Sequence, residues 1–221
     1  MFTGLIKAIC TVKSAYRTGG GMRLAVDLGK LAQECQIGDS IAINGVCLTI
    51  AQLRGSLAEF NVSGETLTKS TLGKLKSSSP VNTELAMKAA DRFGGHFVLG
   101  HVDGTATIKT IERQGQFMVS GVEPFADIKF AANPQLLAQM VVKGSVAVDG
   151  ISLTIANMNE DSFSVSIIPE TLKKTTLGAA KIGDTVNIET DILVKTIKKQ
   201  LEKILPQKQS LTAERLKELG F

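Results

Sequence analysis

A stretch written twice constrains this chain more than anything else in it. Gly45-Val46-Cys47-Leu48-Thr49-Ile50-Ala51 returns as Gly150-Ile151-Ser152-Leu153-Thr154-Ile155-Ala156. Each copy follows a dipeptide that turns one strand into the next, Asn44-Gly45 or Asp149-Gly150. Gly45 to Glu84 aligns without gaps on Gly150 to Glu189, and sixteen of those forty positions are identical. Glu65-Thr66-Leu67 answers Glu170-Thr171-Leu172, Thr71-Leu72-Gly73 answers Thr176-Leu177-Gly178, and Val81-Asn82 answers Val186-Asn187. The openings match too: Gly4-Leu5-Ile6 with Gly100-His101-Val102, and Thr11-Val12-Lys13 with Thr107-Ile108-Lys109. A unit of roughly one hundred residues is too long for a solenoid repeat and suits a whole small domain. The offset grows from 96 (Gly4 to Gly100) to 105 (Gly45 to Gly150), so the second copy carries an early insertion. The chain reads as two tandem domains, residues 1–96 and 97–191, and a tail, 192–221.

Short β-branched segments with Gly-rich turns at regular spacing predict an antiparallel barrel in each copy. In the first copy strands are expected over 2–13, 22–28, 41–44, 46–53, 57–62 and 81–87, with a turn from Tyr16 to Gly21. Glu65 to Leu72 reads as one short helical turn stopped by Gly73. The second copy follows the same plan, with Pro124, Asn133 and Pro134 in its insertion and Gln135 to Met140 helical. At residues 192–205 the period changes: Leu193, Ile197, Leu201 and Leu205 recur every four, with lysines between them, up to Pro206. This is an amphipathic helix. Its apolar stripe suits an oligomer contact or packing against its own barrel. Leu211, Leu216 and Leu219 mark a further short helix or a frayed end.

No apolar run has the length of a membrane helix, and Met1-Phe2-Thr3-Gly4 leads into strand-like residues rather than a secretory signal, so a cytoplasmic protein is expected. Three cysteines, Cys10, Cys35 and Cys47, show no paired spacing, which fits a reducing compartment. The net charge of +4 suggests nucleic acid until it is located. Residues 194–221 hold seven Lys+Arg and three Asp+Glu, which accounts for all of it (7 − 3 = +4). With the repeats neutral and no Trp, nucleic-acid binding is not expected.

The candidate chemistry is sparse. The only histidines are His96 and His101; five residues apart on a strand they would face opposite ways, which argues against a shared metal. Either is a surface or core histidine or a proton carrier; His101, in the position of Leu5 in the other copy, is the stronger candidate. Cys47 by itself reads as a small core residue, and Ser152 and Thr154 as ordinary strand residues. Lys143, Asp149 and Asp191 read as solvated charges or site residues. A hydrolase triad of Ser152, His101 and Asp191 lacks the nucleophile elbow around the serine, and no phosphate-binding glycine loop is present. Residue patterns alone stop at a duplicated barrel with paired sites.

The opening Met-Phe-Thr-Gly, the twin Gly-x-x-Leu-Thr-Ile, the twin Glu-Thr-Leu and Thr-Leu-Gly, and Gly-Gly-His…Gly-His together resemble the riboflavin synthase alpha-chain family. The resemblance runs through the chain and thins after about residue 206. It implies an all-β fold of two tandem six-stranded Greek-key barrels with a C-terminal α-helix that builds a homotrimer. It implies a transferase that binds one 6,7-dimethyl-8-ribityllumazine per barrel and dismutates two of them, by four-carbon transfer, to riboflavin and 5-amino-6-ribitylaminouracil. No cofactor or metal is implied, and a complex with lumazine synthase is a further association it allows.

Carried over by position, the first pocket would use Gly4, Leu5 and Ile6, then Cys47, Leu48 and Thr49, then Asn61, Val62, Ser63, Gly64, Glu65 and Thr66. The second would use Gly100, His101 and Val102, Lys143, then Ser152, Leu153 and Thr154, then Ser166, Ile167, Ile168, Pro169, Glu170 and Thr171. Phe2, Ser40, Cys47, His101, Lys143, Asp149, Ser152, Thr154 and Asp191 match positions that look catalytic in the family. The roles expected are proton movement at the C7 methyl group by His101, and polarisation of the ring, addition to it or water orientation by Cys47 and Ser152. Gly64 departs from relatives with a longer side chain there, and its mate is Pro169. The competing reading is a lumazine-binding antenna protein, which would hold such a ligand without turnover; here both pockets keep their polar set.

Overall fold

The computed structural model describes residues 1–114 and 125–204. Strands β1 (Ala8–Thr18), β2 (Gly21–Asp27), β3 (Ser40–Ile43), β4 (Val46–Arg54), β5 (Leu57–Ser63) and β6 (Pro80–Leu85) close into a barrel in the order β1-β2-β5-β4-β3-β6. Strands β7 (Gly104–Gln114), β8 (Phe125–Ala132), β9 (Ser145–Val148), β10 (Ile151–Met158), β11 (Ser162–Ile167) and β12 (Thr185–Thr190) close in the equivalent order, β7-β8-β11-β10-β9-β12. All pairs are antiparallel with Greek-key connections, as expected. Helices α1 (Gly64–Lys69), α2 (Pro134–Leu137), α3 (Pro169–Lys174) and α4 (Ile192–Ile204) complete the described chain. No described helix is long and apolar enough to cross a membrane.

The repeated strand shows why the sequence closes this way. Along β4, Val46, Leu48 and Ile50 are buried while Cys47 is half-buried and Thr49 exposed; Ile151, Leu153 and Ile155 alternate with Ser152 and Thr154 in the same manner on β10. The inward set joins Leu24, Phe60 and Leu72 in one core, and Phe130, Phe163 and Leu177 in the other. Each large side chain removed from water there contributes about 1.5–3 kcal/mol. Bulges bend the strands at equivalent points: Val12/Ser14 and Ile108/Thr110, then Ile50/Gln52 and Ile155/Asn157. An extra residue on one strand increases local twist, which lets short strands close a small barrel.

The barrels meet hairpin to hairpin. A Cβ on Gly45 would lie 2.5 Å from the Gly150 amide nitrogen, and one on Gly150 would lie 2.8 Å from that of Gly45. Around this contact the Asn82 side chain donates to the Asp149 carbonyl (3.0 Å), and that of Asn187 donates to the Asn44 carbonyl (2.8 Å). The same two amides accept from Thr176 N–H and Thr71 N–H, so each asparagine satisfies the backbone of the other barrel. The identical Val-Asn pairs of the repeat thus form the pseudo-twofold seam.

Some expectations shift. The first strand was expected from residue 2 but begins at Ala8, because Gly4 adopts a positive φ and turns the chain away from the barrel. The expected turn at Tyr16–Gly21 narrows, since β1 continues to Thr18. The single helical turn after β5 is α1 and then a 3-10 segment, Thr71–Lys74, separated by extended Ser70. A 3-10 segment at Gly29–Glu34 was not anticipated, and α2 is shorter than predicted. On α4, Leu193, Ile197 and Leu201 are 52, 60 and 49% exposed, so the stripe does not pack down on its own barrel. Lys195 ties the helix instead to Asp103 at 2.7 Å. Pro124, the helix end at Leu205–Pro206 and the tail leucines Leu211, Leu216 and Leu219 lie outside the described residues.

Candidate functional site

The segment ahead of each barrel crosses to the other one. Phe2 and Val98, equivalent in the repeat, pair with each other through Phe2 N–H to Val98 O (2.7 Å) and Val98 N–H to Phe2 O (3.2 Å). Beyond them the arms exchange. Ser152 N–H donates to Gly4 O, and Cys47 N–H donates to Gly100 O, both at 2.9 Å. Ile6 packs on the second core and Val102 on the first. Gly4 and Gly100 have φ of 77° and 78°, and a Cβ on them would lie 2.6 and 2.5 Å from those of Ser152 and Cys47. Position in the repeat grouped Gly4-Leu5-Ile6 with Cys47 and Gly100-His101-Val102 with Ser152; the structure pairs them the other way. Phe2 is fully buried with Ala42, Val98 and Ala147 at the crossing, so it fixes the arms rather than reaching a pocket.

The first pocket lies outside barrel one. The β4–β5 ladder starts at Ile50–Phe60, so Val46–Thr49 and Asn61–Ser63 lie beyond its end. Alternate residues of an antiparallel strand send both backbone groups to the same side. Cys47 spends its N–H on Gly100, and Thr49 directs its own backbone groups to that same open edge. A cavity of about 290 Å³ results, lined by Cys47, Glu65, Thr66, Lys69, Gly100 and His101, with Val46, Ser70 and Val102. Its floor is built locally. Ser63 caps α1 by accepting from Thr66 N–H (3.1 Å), and Ser70 donates to the Thr66 carbonyl (2.6 Å). Gly64 N–H donates to Gly20 O (3.1 Å), and a Cβ there would sit 3.2 Å from that oxygen, a tight contact. His101 is exposed and Cys47 half-buried. Leu48 and Val62 point into the core, while Asn61 is exposed; Ser40 lies beside Thr49 in the β3–β4 register.

The second site is built from Ser152, the first arm and the linker that joins the barrels. His96 is 7% exposed, and its Nδ1 lies 2.7 Å from Ser152 Oγ. Its Nε2 is buried and has no partner among the described residues. Burial holds this imidazole below its ordinary pKa, and the Asp191 charge opposes that. His96 and His101 do not share a strand: the linker brings one to Ser152 and the second arm brings the other to Cys47. Sequence reasoning ranked His96 below His101 because the linker has no mate in the repeat. Leu5, Phe93, Phe97 and Ile168 expose apolar surface on the arm, the linker and the start of α3, at 43, 46, 38 and 53%. Phe93 and Phe97 hold each other with ring centroids 4.6 Å apart.

The remaining candidates divide. Thr154 is exposed beside Ser152, while Leu153 and Ile167 belong to the core. Pro169 starts α3, the Thr171 carbonyl accepts from Thr175 Oγ1 (2.7 Å), and Glu170 pairs with Lys174 on the surface (2.7 Å). Ser166 donates to Asp127 on the outer wall of barrel two. Asp191 accepts from Leu193 N–H (2.9 Å) at the start of α4. Lys143 is exposed in the turn before β9, where its N–H donates to Ile155 O. Asp149 lies in the seam instead, accepting from Asn187 N–H (2.7 Å), beside a cleft of about 440 Å³ shared with Thr71, Lys74, Thr176 and Asp184. Sequence reasoning also missed Glu84 and Glu189, the buried carboxylates that hold the two arms, although both stand at the end of the aligned repeat.

Comparison with known proteins places this geometry. The Lumazine binding domain model matches residues 3–86 and again 99–191. The chain is 40% identical to the riboflavin synthases of Actinobacillus pleuropneumoniae and of Bacillus subtilis, covering all of both chains in each case. Among solved structures, LumP complexed with 6,7-dimethyl-8-(1'-D-ribityl) lumazine matches with a TM-score of 0.74 at 19% identity. It covers 86% of this chain and 99% of LumP, and LumP complexed with riboflavin matches at 0.75.

Proposed function

The chain belongs to the lumazine-binding domain family, and we infer that it is a riboflavin synthase, taking two molecules of 6,7-dimethyl-8-ribityllumazine to riboflavin and 5-amino-6-ribitylaminouracil. The observation that carries this reading is the cavity beside Cys47, walled by the other barrel's arm, together with its repeat counterpart at Ser152, where the arm makes the same crossed bond and the side chains differ. The reaction uses one compound in two roles. The donor gives up C6, C7 and their methyl groups and leaves as the pyrimidine; the acceptor gains those four carbons as part of a new ring. Two like-shaped sites with unlike side chains suit that requirement.

In this reading the open β4 and β10 edges at Thr49 and Thr154 bond the pteridine's amide-like edge through strand backbone and hydroxyl. His101, exposed at the wall of the first pocket, moves protons at the C7 methyl group of its lumazine. At the second site Ser152 addresses the ring, and neutral His96 takes or returns its proton through the 2.7 Å contact. Cys47 supplies the corresponding polar group to the first pocket. Holding the two heterocycles in one orientation removes several kcal/mol of entropic barrier. The two pockets of one chain belong to different barrels, so we assign the meeting of two bound lumazines to neighbouring protomers of a trimer. The exposed stripe of α4, Leu193, Ile197 and Leu201, supports that assembly. A biosynthetic enzyme of this kind works in the cytoplasm.

The test supplies the lumazine alone and follows riboflavin absorbance. Equal amounts of riboflavin and the pyrimidine, with no cofactor added, are expected. Tight binding with no riboflavin formed would mean a lumazine carrier instead.

A further inference from the structure

A buried carboxylate sits behind each arm, on the barrel that the arm leaves. Glu189 lies on β12 of the second barrel and is 3% exposed. It accepts from Leu99 N–H (2.7 Å), Gly100 N–H (2.9 Å) and His101 N–H (3.1 Å). Glu84 lies on β6 of the first barrel and is 2% exposed. It accepts from Thr3 N–H and Thr3 Oγ1, both at 2.7 Å, and from Gly4 N–H at 3.0 Å; Leu5 N–H reaches it indirectly through Thr3 Oγ1 (3.3 Å). The turn at Gly4 or Gly100 points successive N–H groups the same way, and such groups cannot be left bare in a buried seam. A carboxylate is the one side chain that accepts from all of them at once.

The arm held in this way is also the wall of the opposite pocket. Gly100 and His101 line the cavity beside Cys47, in barrel one. Gly4 bonds Ser152, in barrel two. We propose that Glu84 and Glu189 are positioning residues acting across the seam, so that the carboxylate of each barrel sets the substrate pocket of the other. Glu189 places His101 and the Gly100 carbonyl against Cys47; Glu84 places Gly4 and Leu5 against Ser152. Neither touches substrate. An amide at the same place keeps one acceptor and turns an NH₂ toward N–H groups, which expels the arm. An aspartate keeps the charge but falls short by one methylene and holds it partially.

This inference rests on the reading of the two pockets as substrate sites, and the experiment separates the two claims. Hydrogen exchange is measured by mass spectrometry on the full chain and on E189Q, E84Q, E189D and E84D, without ligand and with riboflavin. In ligand-free protein E189Q is expected to raise exchange at residues 99–101, and E84Q at residues 3–5, each by tenfold or more. With riboflavin, E189Q is expected to lose protection over residues 46–50 and 64–70 but keep it over 151–155 and 169–174; E84Q shows the reverse. Each glutamine variant loses at least tenfold in kcat, and each aspartate variant recovers part of it. If a glutamine variant does not fold, its aspartate partner is read in the same way at smaller amplitude. Loss of protection in a variant's own barrel, equal loss in both, or unchanged exchange in the arms would overturn the proposal. Loosened arms in a protein where riboflavin protects neither pocket would leave the clamp standing and remove the substrate reading instead.

Discussion

The two pockets share a plan and differ at the positions that touch chemistry. The first has Cys47 with His101 on its wall; the second has Ser152 with Leu5 in the place of His101. The second regains an imidazole from outside the repeat, His96 of the linker, buried and bonded to the serine where His101 is exposed. Their floors differ too, Ser63-Gly64 against Ile168-Pro169. Duplication supplied two equivalent sites, and a few substitutions plus one linker made them unequal. The same comparison separates what both barrels must keep, the seam and the arms, from what each can change.

The most damaging way to break the comparison is to part the barrels. Gly45→Ala puts a methyl group 2.5 Å from Gly150 N, at a φ of +76°. Neither hairpin tip can move without displacing the Asn82 and Asn187 bonds. Destabilisation of more than about 3 kcal/mol is expected, with both pockets lost together, read from urea midpoints and riboflavin stoichiometry. A barrel that kept one binding event would show that the seam does not build the pockets.

The histidines come next. His101→Gln and His96→Gln are each expected to lower kcat on the order of 100-fold, the scale of a lost general acid or base. His96 is held neutral by burial, so its loss removes a limb lying on the acid side of the ordinary histidine range. A wild-type rate in either variant would leave that pocket to work by orientation alone.

Much of this was legible in the sequence, and the failures are physical. Repeat, hairpin dipeptides and alternation fixed the strands, since burial of one face leaves a strand no other register. The arm exchange was not legible. Gly4-Leu5-Ile6 carries the same local pattern whether it returns to its own barrel or crosses to the next. What decides is the contact of Gly4 with Ser152 and the bonds of Thr3 and Gly4 to Glu84, some eighty residues away. Glu84 and Glu189 could have been found, because identical carboxylates inside a buried strand of both copies demand partners. His96 could not be found from the repeat, having no counterpart in it.

Asp149 sharpens the comparison through pH. Its mate Asn44 makes the same bond, accepting from Asn82 N–H at 2.7 Å, without a charge. Burial pushes the Asp149 carboxyl up from 3.8 to about 7, against the Asn187 N–H bond that lowers it, with Asp184 adding to the rise. The folded state therefore holds a proton that the unfolded chain releases near pH 4. Stability from this group is complete below that and is lost as pH rises to about 7. Asp149→Asn is expected to flatten the slope and to gain about 1–3 kcal/mol at pH 8. Parallel curves for the two proteins from pH 4 to 8 would mean that Asp149 does not carry the dependence.

The smallest effect lies at the pocket floors. Ser63 accepts from Thr66 N–H and so caps α1, whereas Ile168 offers α3 no side-chain cap. Ser63→Ala should cost about 1 kcal/mol, the usual worth of a hydroxyl cap. Ile168→Ser should return a similar amount to α3: Pro169 already fixes the first helical residue, and the isoleucine is 53% exposed, so little burial is lost with it. The exposed isoleucine also stands just before α3, the counterpart of the helix whose Glu65, Thr66 and Lys69 line the first pocket. The stabilised variant should therefore bind riboflavin a few-fold more weakly at one site while the other is unchanged, since a partly exposed side chain contributes about 1 kcal/mol of contact. A gain in stability with no change at either site would assign Ile168 to the fold alone. Loss at the first site instead would show that the two floors are coupled through the seam.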